Sequence, residues 1–425
     1  MDKVAGRSAL GKLLAAHRAA AGWTQRRLAA EAFVDRSYIA HAESGRALPS
    51  RSFWTAADDA LGAAGELVAA FDAVQCDGRT SERAADDDPA GMDPRSVAER
   101  SLSFADRAVV TNVSEETIDH LRWEVSRLAV AYVHADLGVV FIDLVATRDA
   151  LFRLLEGRQR PRHTRDLYFL AGATCLLLAH ASQNLGDERA ALAQLRCSWT
   201  CIDQADHPEL RTWAHGTAAL IAEWSSQPGK AVSFAATGLR SATGAGRARL
   251  TAIRGRAAAR AGDLSLARSS AAELQEMLDE PDGGDLGDLG GLLTFPRAKR
   301  HYYLGGTLNL VGTHDLARTH AARAVELYRT GPREARSYGD EALARLDITT
   351  ACIVDGDLDG AAVALAPVLD LPVGRRIRQL DAAMTTTAAA LTHGPKADDR
   401  VSTMLLDRIA GYRSAGHSRA LSSGA

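Results

Sequence analysis

The sequence predicts an all-α protein, a small helical bundle followed by a long, divergent α-solenoid. Apolar residues recur at helical spacing from Ser8 to Leu67. Residues 101–425 are dominated by Ala, Leu, Arg and Glu, with very few β-favouring clusters. One short turn pattern recurs along the second half of the chain. With 425 residues and 46% apolar content, the chain has the composition of a soluble globular protein of two or three domains.

The N-terminal elements follow from local chemistry. Leu10, Leu13, Leu14 and His17 mark one helix, which Gly22 stops. Thr24 has the side chain to cap a second helix carrying Leu28 and Ala29, and Asp35 to cap a third carrying Tyr38, Ile39 and Ala42. Residues 1–54 hold nine Lys or Arg against four acids. Nucleic-acid contact is therefore expected in the first domain, residues 1–74. Residues 75–100 are acidic, carry two prolines and almost nothing apolar, and read as a solvated, flexible linker. A helical body then covers 101–412, and 413–425 is expected to fray.

The stretch WTQRRLAAEAFVDRSYIAHAESGRALP, residues 23–49, resembles the helix-turn-helix of the lambda-repressor-like (XRE) DNA-binding family. Thr24-Gln25, Leu28-Ala29, Val34-Asp35, Ser37-Tyr38-Ile39 and the exit Glu43, Gly45, Pro49 occupy the family's places in order. Phe33 stands where the family commonly has a turn glycine, which implies strain or a different turn. The resemblance implies that Gln25 and Arg26 hold the DNA backbone while Arg36, Ser37, Tyr38 and His41 face the major groove. Arg36 suits guanine, because a guanidinium can donate twice to O6 and N7. The competing reading makes Arg36 a solvated charge, Tyr38 a core residue and His41 a surface residue.

In the body, turns of the form Gly-Asp-x-x-x-Ala begin at Gly186, Gly262, Gly312 (with Thr313 for Asp) and Gly356, with a degenerate copy at Ser226. A small residue stands seven positions before each turn (Ala179, Ala219, Gly255, Gly305, Thr349), and Ala stands five after it. Small residues on both sides of a short turn let antiparallel helices pack closely, and repetition stacks such pairs. The pattern resembles the tetratricopeptide repeat, although the aromatic positions of that repeat are mostly absent; Ala-rich hairpins of another kind fit as well. Residues 101–170 read as a helical extension without these turns and 376–411 as a closing pair. The Gly/Asp stretch 282–291 reads as a flexible connection rather than a cation site built on Asp282, Asp285 and Asp288.

Several function classes lack their signatures. No HExxH, P-loop or GxSxG occurs, and the glycines of TGAGRAR (243–249) follow no strand. No enzymatic activity and no cofactor is expected. The five cysteines are scattered; Cys197 and Cys201, four apart, read as buried small hydrophobes before metal ligands. The longest apolar runs fall short of the roughly 18 to 20 residues a bilayer span needs, and the N-terminus lacks the pattern of a signal peptide. A cytoplasmic protein without membrane contact is expected.

A lambda-repressor-like domain ahead of a tetratricopeptide-like body is similar in architecture to peptide-pheromone-sensing regulators, and more closely to long Ala/Arg-rich regulators of actinobacteria. The resemblance implies a homodimeric transcription factor that binds a double-stranded DNA operator and senses an effector. Counting back from the turn residues, Trp213, Arg249, Arg256, Lys299, Tyr302 and Asn309 would converge on one surface. That mixture suits a small anionic ligand or a peptide, its carboxylate on Arg256 or Lys299 and its amides on Asn309. The alternative function is a helical-repeat scaffold for protein partners, with DNA binding secondary.

Overall fold

The computed structural model describes residues 3–32, 34–83, 94–281, 284–332 and 335–422. Among them no strand occurs, and no helix is long and apolar enough to cross a membrane. The chain divides into two compact units, one of residues 1–121 and 148–170, the other of 122–147 and 171–425.

The first unit begins with α1 (Lys3–Ala20), α2 (Gln25–Glu31), α3 (Arg36–Glu43), α4 (Arg51–Leu61) and α5 (Glu66–Arg83). Leu10 and Leu14 of α1, Leu28 of α2, Tyr38 and Ile39 of α3, and Phe53, Trp54, Leu67 and Phe71 beyond them close a single core. Backbone contact between α1 and α3 explains two glycines. A Cβ on Gly11 would lie 2.4 Å from the Ala42 carbonyl oxygen, and one on Gly45, at φ +71°, would lie 2.9 Å from Ser8 Cα. Thr24 caps α2 as expected, accepting from the Arg27 N–H at 3.2 Å. Asp58, buried at the end of α4, accepts from the N–H groups of Gly65 (2.6 Å) and Leu67 (2.8 Å) and so anchors the start of α5.

Asp35 corrects an expectation. It occupies the N-cap position of α3 but its side chain makes no cap bond. Its carboxylate turns to the Ser114 backbone and the Thr117 side chain, at the start of α7 (Glu115–His134). Val110 also packs against the N-terminal core. Residues beyond the expected boundary at 74 therefore belong to this unit, together with α6 (Pro94–Ala108) and parts of α8 (Leu137–Leu155) and α9 (Pro161–Leu185). Of the stretch expected to be a flexible linker, residues 75–83 continue α5 and 94–100 open α6, whereas Asp86–Asp88 lie outside the described residues. So does Phe33.

The second unit is built of helical pairs. After α9 come α10 (Glu188–Ala205), α11 (Pro208–Trp224), α12 (Pro228–Leu239), α13 (Gly244–Arg260), α14 (Leu264–Glu276), α15 (Arg297–Leu310), α16 (His314–Thr330), α17 (Tyr338–Val354) and α18 (Leu358–Leu369). A closing pair follows, α19 (Arg378–His393) and α20 (Arg400–Ser422); of the stretch expected to fray, residues 413–422 continue α20. Every expected turn falls between the two helices of a pair. Its first residue is left-handed each time: Gly186, Gly262, Gly312 and Gly356 at φ +94°, +84°, +80° and +75°. Asp187, Asp263 and Asp357 then cap the next helix by accepting its third N–H. The degenerate turn keeps the conformation without the glycine, with Ser226 at φ +59° and Gln227 making no side-chain cap bond.

The small residues pack as the pattern requires. Ala191, Ala231, Ala267, Ala317 and Ala361 are all fully buried. A Cβ on Gly305 would lie 3.1 Å from Ala321 Cβ. First helices pack on one another in sequence, α11 on α13, α13 on α15, α15 on α17 and α17 on α19, which makes one continuous layer. Asp282 lies outside the described residues, but residues 284–291 are no loose connection: Leu286 and Leu289 are buried, Glu209 accepts from the Leu286 N–H at 3.1 Å, and Gly291 lies against the Ala129 backbone.

The turn geometry makes a paired prediction. An L side chain in the left-handed region costs about 1–2 kcal/mol, so Ser226→Gly should raise the urea midpoint. Gly262→Ala, with open space around its Cβ, should lower stability by about 1 kcal/mol or more. Equal midpoints for all three proteins would contradict this account of the turns.

Candidate functional site

α3 presents two faces. Tyr38, Ile39 and Ala42 point into the core, whereas Arg36, Ser37 and His41, at its first, second and sixth positions, are exposed. Arg26 and Arg27 on α2 and Arg46 after α3 are exposed as well. Arg27 lies over the Trp23 ring at 4.5 Å. Among the described residues none of Arg26, Arg27, Arg36 and Arg46 pairs with a carboxylate, so this surface keeps its positive charge for an outside partner.

The frame behind the surface is polar and internal. Glu43, at the end of α3, receives both Nε and Nη2 of Arg18 from α1, and Gln25 Nε2 at 2.8 Å from α2. Arg18 Nη1 donates to the Trp23 carbonyl at 2.7 Å. The Glu43 bond holds the Arg18 guanidinium above its ordinary pKa, against the opposing effect of burial. One carboxylate thus ties three helices together. Gln25 spends its amide N–H on this frame and keeps only its other amide groups for a phosphate.

Tyr38 is a correction. It is 2% exposed, its ring packs edge-on against Phe53 at 5.5 Å, and burial pushes its phenol up to about 12. It is a core residue and cannot reach a base edge.

Residues 9–71 match a helix-turn-helix domain family. The chain therefore carries an N-terminal helix-turn-helix domain, of which α2 and α3 are the two motif helices. No curated protein matches the chain.

The six residues expected to converge in the body lie along the layer of first helices, but two of the expected roles fail. Arg256 donates through Nε and Nη2 to Glu223 at 2.8 and 3.0 Å and through Nη1 to the Tyr302 hydroxyl at 2.7 Å. Its site for an incoming carboxylate is taken by Glu223. Burial would lower the guanidinium, but Glu223, Tyr302 and Tyr303 outweigh it and hold Arg256 above its ordinary value. Asn309 is likewise occupied, its Nδ2 donating to the Asp347 carbonyl at 2.7 Å and its Oδ1 lying 3.0 Å from His314 Nδ1. Lys299 lies 3.4 Å from Asp340, and Arg249 stacks on Trp213 at 4.2 Å.

Sequence counting missed Arg260, which shares Glu223 at 3.3 Å, and Asp347. Both line a cavity of about 540 Å³ together with Arg256, Tyr302 and Asn309. Burial drives the Asp347 carboxyl up to about 7, against Arg256, Arg260 and Asn309. Elsewhere Cys175 joins Cys197 and Cys201. These neighbouring thiols and then burial raise Cys175 far above the ordinary thiol range.

Two predictions follow from these burials. Tyr38→Phe should leave DNA affinity unchanged, while Tyr38→Ala should cost about 3–5 kcal/mol in thermal unfolding of the full chain; weaker DNA binding by a folded Tyr38→Phe protein would restore a base contact. Because Asp347 keeps its proton in the folded state up to about pH 7 and loses it in the unfolded chain near pH 4, its contribution to stability falls as pH rises between those values. The wild type should therefore lose stability relative to Asp347→Asn across that window in urea titrations. A difference that does not change with pH would contradict the burial of this carboxyl.

Proposed function

We propose that the protein is a sequence-specific DNA-binding transcriptional regulator that acts as a homodimer and answers to an effector held by its helical pairs. The observation that carries this reading is the exposed α3 face of Arg36, Ser37 and His41 beside Arg26, Arg27 and Arg46, none of which meets a carboxylate among the described residues, set on a helix-turn-helix domain. Arg36 reads a base and Arg26 the backbone. Such a small domain spans a short half-site, so pairing two copies supplies affinity and specificity. Helix α6 supports pairing, since Leu102, Phe104 and Val109 on and just after it are 66%, 67% and 64% exposed. The repeated Gly-Asp turns and small-residue contacts support a divergent tetratricopeptide-like body of the kind used to bind ligands or partners. A DNA-bound regulator of this type works in the cytoplasm and needs no catalytic centre.

Arg36→Ala should weaken binding to the specific operator by about 1–3 kcal/mol and spare random duplexes, whereas Arg26→Ala should weaken both alike. Titrations of the two duplexes at one fixed salt concentration decide it. Equal losses on both duplexes for Arg36→Ala would remove the base contact.

A further inference from the structure

Among the cations of the first-helix layer, Arg249 differs in its surroundings. It is 4% exposed, and among the described residues no carboxylate pairs with it. Its Nη1 donates to the Trp213 carbonyl at 2.8 Å, and its Nη2 lies 3.4 Å from Thr217 Oγ1 and 3.5 Å from His180 Nε2. Burial lowers its pKa to about 10. His180 gives no counter-charge, because burial, then Arg249 and Lys299, keep its ring neutral. The fold nonetheless makes room for this guanidinium: a Cβ on Gly216 would lie 2.0 Å from Nη1. An uncompensated buried charge is costly unless something pairs with it.

Arg249 borders a cavity of about 90 Å³ that His180, Asn184, Gln379 and the Lys299–Asp340 pair also line; Lys299 offsets the Asp340 charge at 3.4 Å. Gln379 is 8% exposed and donates through Nε2 to Asn184 Oδ1 at 2.6 Å. Its Oε1 is buried and, among the described residues, accepts from nothing. The cavity thus offers a cation that lacks an anion and an acceptor that lacks a donor. At about 90 Å³ the cavity is well below the roughly 300–1,000 Å³ of pockets for drug-sized ligands, which restricts it to a small molecule. We infer that this cavity binds a short organic monocarboxylate carrying a hydrogen-bond donor, a 2-hydroxy acid or an amino acid of two or three carbons, with the carboxylate on Arg249 and the hydroxyl or amino group on Gln379. It rests on the regulator reading only in making this molecule the effector.

The test uses the full chain, with lactate, glycine, acetate and inorganic phosphate as probes, in thermal unfolding and titration calorimetry at matched ionic strength. Lactate or glycine, whichever donor the site takes, should raise Tm by about 2–4 °C and exceed acetate. Arg249→Met should abolish the shift while itself unfolding at the wild-type temperature or above. Gln379→Met should leave the fold intact and make acetate equal to the favoured acid. No shift with any probe, or a shift that survives Arg249→Met, overturns the inference, as does an undiminished preference in Gln379→Met. If Arg249→Met does not fold, the Gln379→Met comparison decides the question alone. A phosphate response above the organic acids would also overturn it, in favour of an inorganic anion. DNA binding is measured separately on the same protein: ligand binding without operator binding would sink the regulator reading and leave the site standing, and operator binding without ligand binding would do the reverse.

Discussion

The reading surface depends on the carboxylate of Glu43. α2 is only seven residues long and α3 eight, too short to be stable helices without tertiary support. Glu43 supplies that support from the end of α3 by accepting from Arg18 of α1 and Gln25 of α2, while the side of α3 bearing Tyr38 and Ile39 is buried in the core. Gly11 and Gly45 let α1 come into backbone contact with α3, which brings Arg18 within reach of Glu43. The exposed side of α3 is held as a consequence: Arg36, Ser37 and His41 stand out because the opposite face has nowhere else to go.

The second unit solves a different problem. Its Ala- and Gly-rich interfaces bring helices close but offer little apolar area per residue, and its first-helix layer buries charge instead. Arg256 and Glu223 form a buried ion pair that the exposed Arg260 joins from its edge, and Lys299 faces Asp340. Such pairs contribute little net stability, since desolvation offsets attraction, but removing one partner is strongly destabilising. They fix which side chains face one another along the layer. Among the described residues no acid pairs with Arg249.

Much of the fold was legible because its signals are local. The start of α2 at Thr24, the left-handed turn residues and the Asp caps each involve neighbours within a few positions, so sequence chemistry suffices to place them. Where a residue had two local options, tertiary packing chose between them. Tyr38 sits in the recognition helix by motif, but Phe53, fifteen positions on, takes its ring into the core. Asp35 has the chemistry of a cap, yet Ser114 and Thr117 claim its carboxylate. In the body, counting from the turns placed Arg256 on the first-helix layer without revealing that Glu223 meets it, since nothing in the spacing sets a rotamer. Gln379 and His180 carry no sequence signal at all, because each comes to the small cavity from a different helical pair.

The most direct test of the regulator reading is selection of bound duplexes from a random pool by the full chain, alongside the triple variant Arg36→Ala, Ser37→Ala, His41→Ala. A dimeric regulator of this geometry should enrich two related half-sites spaced by about one turn of DNA, roughly 10 base pairs centre to centre, or a multiple of it, and the variant should enrich nothing. A wild-type pool no more enriched than that of the variant would contradict the assignment of α3 as a recognition helix.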